Sequence, residues 1–374
     1  MGKSIRRHDL DWLRVLAVLL LVPFHSALIF SLRPGDIVYV KDQVESEILI
    51  QLAYFVHQWH MPLLFMIAGA STWFALEKRT GGQYLAERVK RLLVPTLFGI
   101  TVLVPPMVYM QFLDEPRFGS FWQFYPRFFQ IDFEDLSGNA GTFTPAHFWF
   151  VIFLFVFSAA ALPLFLALKR APGRRLVARL ATFLQKPGMI FLPALPLALA
   201  VVLLDIGGKA PLLHLTLFVY GFVLAADERF QDAMDRHVVS ALVVGVIATA
   251  CLYILANRVL LHLVYYLSRW CWLVVIFGLG RRYLNASGRL LRYASEAAYP
   301  FYMLHFLINT AVGYVVTRWD TGVALKYLAI NALTIPMVVL VYELVVKRTG
   351  ITRFLFGMKT CSRGEPRPRA VART

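Results

Sequence analysis

The sequence predicts an all-α, polytopic integral membrane protein with about ten transmembrane helices. Of its 374 residues, 59% are hydrophobic and only 16% are charged, which is too little charge to cover the surface of a soluble protein. Apolar runs of about twenty residues recur along the chain, and each is long enough to cross a hydrocarbon core. The predicted spans are 10–32, 51–76, 92–113, 147–168, 189–206, 211–226, 238–257, 260–280, 294–317 and 323–346.

The lysines and arginines predict the orientation of these spans. Ten crossings place both termini on one side of the membrane. Of the 38 basic residues, 28 lie in the termini and connections on that side, and eight lie in the opposite connections. Because basic residues concentrate in cytoplasmic segments, we expect both termini in the cytoplasm. The net charge of +16 thus follows membrane topology and does not indicate a nucleic-acid partner.

The chain is expected to divide into a membrane-embedded domain, 1–350, and a basic cytoplasmic tail, 351–374. The tail lacks apolar periodicity and is expected to be disordered. The first span is too long for a signal peptide and many further spans follow it, so we expect it to be uncleaved. The three cysteines form no pattern typical of disulfides.

Arg14 and His25 are two polar residues in the otherwise apolar first span. A spacing of eleven is almost three turns of an α-helix, so both side chains project from one face, separated by about 16 Å along the axis. Ionisable groups within a membrane are expensive and usually functional. We predict both as catalytic residues, with Arg14 near the cytoplasmic end and His25 in the outer half. Asp11, three residues before Arg14, is expected to pair with it.

Histidines on other spans are expected near the depth of His25. His57 and His60 lie one turn apart in the outer half of the second span, and His147 lies at the outer mouth of the fourth. An imidazole takes up and releases a proton near neutral pH, which suits His25 as a general base toward a hydroxyl. A zinc site of His25, His57 and His60 is conceivable, but no cysteine or nearby carboxylate supports it, so we predict no metal.

Arg88 and Arg91 stand at the start of the third span and share a helix face as i,i+3 neighbours. The planar fork of arginine suits phosphate oxygens, so the pair is a candidate phosphate clamp. A second interpretation stays open, because basic residues are usual at every cytoplasmic helix start.

Further ionisable side chains lie inside the later spans. Arg269 lies in the middle of the eighth span and requires a partner or a water-filled cavity. Glu296 and Glu343 lie toward the cytoplasmic ends of the last two spans; either neutralises an arginine or belongs to the site. The candidate substrate or pocket residues are His57, His60, His147, Arg269 and His305.

The longest predicted non-cytoplasmic loop, at about 114–146, combines five acidic residues with several aromatic ones. Carboxylates beside aromatic rings are typical of sugar-binding surfaces. A solvated loop with an aromatic belt at the membrane interface gives the same composition. Both interpretations stay open.

Several segments together resemble the bacterial membrane acyltransferase family called acyltransferase-3. The family pattern of an arginine, ten residues and a histidine in the first helix is matched by Arg14 and His25. Its Arg-x-x-Arg motif at the start of helix 3 is matched by Arg88 and Arg91. Residues 60–69 (His-Met-Pro-Leu-Leu-Phe-Met-Ile-Ala-Gly) are similar to the second-helix motif, with an alanine where the family usually has serine.

Other segments extend this resemblance over nearly the whole chain. Residues 87–95 and 104–106 look most like the branch that contains glucan biosynthesis protein C, which is associated with succinylation of periplasmic glucans. Residues 147–150 and 299–305 are also similar to family segments. The resemblance implies a location in the bacterial inner membrane.

The resemblance also implies a mechanism. The protein would be an O-acyltransferase with acyl-CoA as co-substrate and no bound cofactor. The CoA phosphates would bind near Arg88 and Arg91, and the acyl chain would run past Arg14. His25 would deprotonate a hydroxyl of an extracytoplasmic glycan or other acceptor, or would first form an acyl-histidine. The acyl group, succinyl or acetyl, stays open, and Arg269 is a candidate oxyanion stabiliser.

Two other functions also fit buried charges in a membrane protein. In a transporter or exporter of an anionic metabolite, Arg14, Arg269 and the histidines would line a translocation path. A sensor or scaffold would not need the phosphate-suited Arg88 and Arg91.

Overall fold

The computed structural model describes residues 7–33, 35–133, 136–254 and 257–359 as a helical bundle, which confirms the predicted all-α class. The helices are α1 His8–Leu28, α2 Glu47–Lys78, α3 Gly81–Phe112, α4 Phe121–Phe128, α5 Trp149–Ala160, α6 Leu162–Leu168, α7 Ala171–Leu184, α8 Ala194–Leu203, α9 Pro211–Ala226, α10 Glu228–Arg236, α11 Val238–Cys251, α12 Arg258–Tyr283, α13 Arg289–Val316, α14 Val323–Val346 and α15 Gly350–Leu355.

Among the described residues, five helices are long and apolar enough to cross a membrane, or up to eight if each bent helix pair forms one span. The five are α1, α2, α3, α12 and α14. A bend of 52° separates α5 from α6, and one of 102° separates α9 from α10. The chain is therefore a multi-pass membrane protein, while the count of ten crossings and the side of the termini stay predictions.

The third helix contains two π-helical turns, and in each case a proline stands two residues after the end of the turn. The turns Val89–Leu93 and Gly99–Leu103 are closed by the amides of Val94 and Val104. The next residue in each case is a proline, which has no amide hydrogen to continue the α-helical ladder. Such turns often lie at functional sites, and these two carry Arg91 at one end of the bundle and Gly99 near its middle.

Helices α2 and α9 pack unusually closely because glycines remove the side chains between them. A Cβ on Gly221 would lie 1.9 Å from the carbonyl oxygen of Met66, and one on Gly69 would lie 1.9 Å from that of Phe218. Small residues allow such close backbone approach in membrane bundles. The second and sixth predicted spans are thus direct neighbours.

The C-terminal region of the bundle extends beyond the boundary expected from the sequence. The predicted tail was 351–374, but Gly350–Leu355 forms α15. Phe356, which is 5% exposed, packs its ring 5.4 Å from that of Phe98. Phe356 thus packs on α3, and the division of the chain into a membrane domain and a tail stays a prediction. Residues 360–374, which include most of the expected tail, lie outside those that the structure describes.

Candidate functional site

Three histidines from different parts of the chain meet inside the bundle. The ring of His25, on α1, lies 5.3 Å from that of His305, on α13, and is stacked on Phe306 at 4.1 Å. The ring of His147, in the turn before α5, lies 5.2 Å from that of His305. The structure therefore brings together three of the histidines that the sequence selects as candidates.

Packing of α1 on α13 explains why His25 faces His305. One residue beyond His25, Ser26 accepts a hydrogen bond from the side-chain amide of Asn309 at 2.8 Å. Both partners are buried, at 0% and 1% exposure, so the bond fixes the register between the two helices. Asn309 is one turn after His305, which aligns the two pairs on one interface.

His305 is held in one tautomer. Its Nδ1 lies 2.6 Å from the carbonyl oxygen of Tyr302, and a carbonyl oxygen only accepts, so Nδ1 carries the proton. The lone pair of the neutral ring is then on Nε2, which is buried without a partner among the described residues. Nδ1 of His25 is buried and unpartnered in the same way.

The backbone before His147 is strained. Ala146 has a φ of +45°, a left-handed conformation that non-glycine residues rarely adopt. Its amide donates to the hydroxyl of Thr144 at 3.0 Å, and the hydroxyl of Tyr302 donates to the carbonyl of His147. Such strain persists where surrounding contacts over-determine it and is frequent at active sites. Both ring nitrogens of His147 are buried and make no hydrogen bond of standard geometry within the described residues.

His57 and His60 do not join this cluster as expected from their depth. The ring of Phe24 stacks on both, at 6.0 Å and 6.2 Å, and so lies on the α2 side of His25. His60 is 1% exposed, and its Nε2 donates to the carbonyl of Ala17 at 2.6 Å. His60 thus joins α1 to α2. The side chain of His57 is exposed, although its ring stacks on Phe24.

Arg14 is paired with Asp11, as the i,i+3 spacing predicts. Its Nη2 lies 2.6 Å from a carboxylate oxygen of Asp11, and 36% of the arginine side chain is exposed. Eleven residues of α1 separate it from His25, or about 16 Å along the axis. The structure therefore gives Arg14 an ion pair at the other end of the helix and no contact with the histidine cluster.

Arg88 and Arg91 are half-buried and partly engaged by neighbours. The guanidinium of Arg88 lies 4.8 Å from the ring centre of Tyr84, and Nε of Arg91 lies 3.1 Å from a carboxylate oxygen of Glu87. Arg91 lies in a π-helical turn, so the shared face expected from α-helical spacing is altered there. Each guanidinium has five donors, which leaves hydrogens free for a ligand.

The glutamates of the last two spans neutralise basic residues. Glu296 is 2.9 Å from Nη2 of Arg353, and Glu343 is 3.0 Å from Nζ of Lys347. Arg353 belongs to α15, so its ion pair fastens the C-terminal helix to α13. Both glutamates lie among the basic residues at the α3 and α15 end of the bundle.

Arg269 is held against α2, away from the histidine cluster. Its Nε donates to the carbonyl of Gln58 at 2.6 Å and its Nη2 to the hydroxyl of Tyr265 at 3.0 Å. The sequence shows that this arginine requires a partner, and the structure supplies polar, uncharged ones. An oxyanion role beside His25 stays a prediction.

Tyr302 and Asn309 are site residues that were not singled out from the sequence. They stand three before and four after His305 on the same helix, which places them on its face. That spacing could have identified them once His305 was a candidate. The assembled cluster offers buried imidazole nitrogens without hydrogen bonds of standard geometry, and such nitrogens are suited to taking a proton from a hydroxyl.

Comparisons with known proteins agree over most of the chain. A family model described as an acyltransferase domain matches residues 7–343. Glucans biosynthesis protein C of Salmonella schwarzengrund (strain CVM19633) is 23% identical over 97% of this chain and 97% of that protein. Proteins of the same name from Salmonella paratyphi A (strain ATCC 9150 / SARB42) and Salmonella heidelberg (strain SL476) are 22% identical over the same shares. No solved structure gives a significant match.

Proposed function

Because the chain belongs to the acyltransferase-3 family and is a multi-pass membrane acyltransferase, we propose that it moves an acyl group from acyl-CoA to a hydroxyl of an extracytoplasmic glycan, with His25 as general base. The observation that carries this proposal is the cluster of His25, His305 and His147, with its buried ring nitrogens that make no hydrogen bond of standard geometry within the described residues. The relatives named glucans biosynthesis protein C support a glucan as acceptor. The match to an acyltransferase domain favours this function over a transporter.

In the proposed reaction His25 removes the proton of the acceptor hydroxyl as its oxygen attacks the thioester carbonyl. The carbon–sulfur bond then breaks, and the CoA sulfur takes the proton from the imidazolium. The acceptor thus becomes an acyl ester, and the donor becomes free CoA thiol. His25 returns to its neutral form. The lone pair on Nε2 of His305 is suited to orient His25 through its Nδ1 hydrogen.

A line of contacting residues joins Arg91 to the histidine cluster. We infer that the acyl-CoA donor enters the bundle along this line, from the α15 end. A Cβ on Gly357 would lie 2.6 Å from the ring of Tyr299 and 3.0 Å from the carbonyl of Arg91. The ring of Tyr299 stacks on Tyr302 at 6.1 Å, and Tyr302 contacts His305. The hydroxyls beside this line make no hydrogen bond of standard geometry within the described residues: Thr96, Ser295 and Tyr299. Polar groups of a pantetheine arm would satisfy them.

The test is transfer by purified protein in lipid with radiolabelled succinyl-CoA or acetyl-CoA and a glucan acceptor. His25→Ala is expected to lose at least 100-fold in rate, since general base catalysis contributes about 10²–10⁴-fold, while its thermal melting temperature stays close to that of wild type. The control His237→Ala changes a histidine between α10 and α11 and should transfer normally. Undiminished transfer by His25→Ala would refute the assignment.

A further inference from the structure

One nitrogen of the Arg269 guanidinium makes no hydrogen bond of standard geometry within the described residues, although the guanidinium lies 4.8 Å and 4.9 Å from the ring centres of Tyr265 and Tyr266. The residue is 6% exposed, and its Nη1 is buried with no hydrogen bond in the described residues. Its other nitrogens bind the carbonyl of Gln58 and the hydroxyl of Tyr265, and neither is a carboxylate. A buried cation with only neutral partners is costly in a membrane, and such residues usually face a cavity or a ligand.

A second cation, Lys209, lies at the same end of the bundle. It precedes α9, is half-buried, and its Nζ is 5.4 Å from the ring centre of Trp149. Burial lowers the pKa of Lys209, and Asp205 opposes this shift. The carboxylate of Asp205 accepts a hydrogen bond from the amide of Gly208 at 2.9 Å within its own turn. Two cations thus have one carboxylate near them, and among the described residues that carboxylate forms no ion pair with Lys209.

Both cations lie near His57, on the α2 side of His25. Arg269 and Lys209 lie within electrostatic range of His57, which is exposed although it is ten residues into α2 and stacked on Phe24. The ring of His57 is thus accessible, although Phe24 and the two cations, from three other segments, lie close to it. Phe24 is 5.0 Å from His25 and 6.0 Å from His57, so the two histidine rings are no more than about 11 Å apart.

We propose that Arg269 and Lys209 form a binding site for a carboxylate group of a substrate, on the α2 side of His25 and separated from it by Phe24. The planar fork of Arg269 matches a carboxylate, and Lys209 adds a second charge. The carboxylate belongs to the free end of a dicarboxylic acyl group or to an acidic acceptor. This inference rests on the proposed function for its role in transfer but not for binding itself.

Binding is tested on the full-length protein in lipid with succinate and its uncharged analogue succinamide, by isothermal titration calorimetry. Wild type is expected to bind succinate at least tenfold more tightly than succinamide. Arg269→Gln and Lys209→Gln should each weaken succinate binding at least tenfold. Arg258→Gln, an exposed arginine on the same helix, is the matched control and should bind normally. Lys209→Gln, in a loop, keeps the test decisive if Arg269→Gln fails to fold.

Transfer assays then identify the source of the carboxylate. If it is the acyl group, wild type prefers succinyl-CoA to butyryl-CoA with a neutral glucan, and Arg269→Gln loses this preference. If it is the acceptor, wild type prefers a glucuronate-bearing glucan with butyryl-CoA, and Arg269→Gln loses that preference. Active enzyme with neither preference, or equal binding of succinate and succinamide, overturns the site. Succinate binding that depends on Arg269, without transfer from any acyl-CoA, supports the site and refutes the proposed function.

Discussion

Asp42→Asn is expected to destabilise the protein because it leaves the buried ammonium of Lys326 without its carboxylate. Nζ of Lys326 lies 2.7 Å from Oδ2 of Asp42, and the two side chains are 9% and 2% exposed. The pair joins the loop between α1 and α2 to the start of α14. Breaking such a pair from one side costs about 3–5 kcal/mol.

The geometry favours the lower end of that range. Asparagine keeps the shape and the oxygen that accepts from the amide of Val44 at 2.9 Å, and Nζ of Lys326 retains its bond to the carbonyl of Thr317 at 2.9 Å. A loss of about 3 kcal/mol corresponds to a more than 100-fold change in the unfolding equilibrium. At roughly 2 °C per kcal/mol, the melting temperature should fall by about 6 °C.

The assay is thermal unfolding of purified variants in one detergent, followed by intrinsic fluorescence. Asp114→Asn is the matched control: its carboxylate is 74% exposed and pairs with Arg318 at the surface, where an ion pair contributes little. The double variant Asp42→Asn/Lys326→Met removes both charges and should recover part of the loss. Equal melting temperatures for Asp42→Asn and Asp114→Asn would refute the reasoning, as would a double variant less stable than Asp42→Asn.

Two further predictions concern helix packing and donor binding. Gly221→Ala should destabilise the protein by about 1–3 kcal/mol, because its Cβ would lie 1.9 Å from the backbone oxygen of Met66; Gly82→Ala, with open space around it, should not lower the melting temperature. Replacing Arg88 and Arg91 together by alanine should raise the KM for acyl-CoA more than the KM for the acceptor in steady-state kinetics. Equal increases would indicate a structural role for the pair.

The sequence predicts the fold class because the length of an apolar run depends only on residues that are neighbours in the chain. Each predicted span contains helical residues in the structure, although the fourth is divided between α5 and α6, and the Arg14–Asp11 pair follows from helical spacing alone. The π-helical turns and the bend between α5 and α6 were not predicted. Their causes are partly local, since Pro95 and Pro105 follow the two turns, but proline also starts ordinary helices, as it does at Pro211.

The candidate site was predicted residue by residue but not in its assembly. His25, His147 and His305 were all selected as polar groups in apolar segments. His25 was grouped with His57 and His60 because all three were expected at the same depth in the membrane. The position of a residue along a span predicts its depth, but not how one helix is rotated against another. The Asn309–Ser26 contact that sets this rotation for α1 and α13 joins residues 283 positions apart, and no local pattern encodes it.

The most direct test of the central claim uses the purified protein in sealed liposomes, with acyl-labelled CoA on the side of Arg88 and Arg91 and glucan on the other. The account predicts that label appears on the glucan as an ester, with one free CoA thiol released for each acyl group transferred. Movement of an unesterified anionic metabolite across the membrane without release of CoA thiol would contradict it.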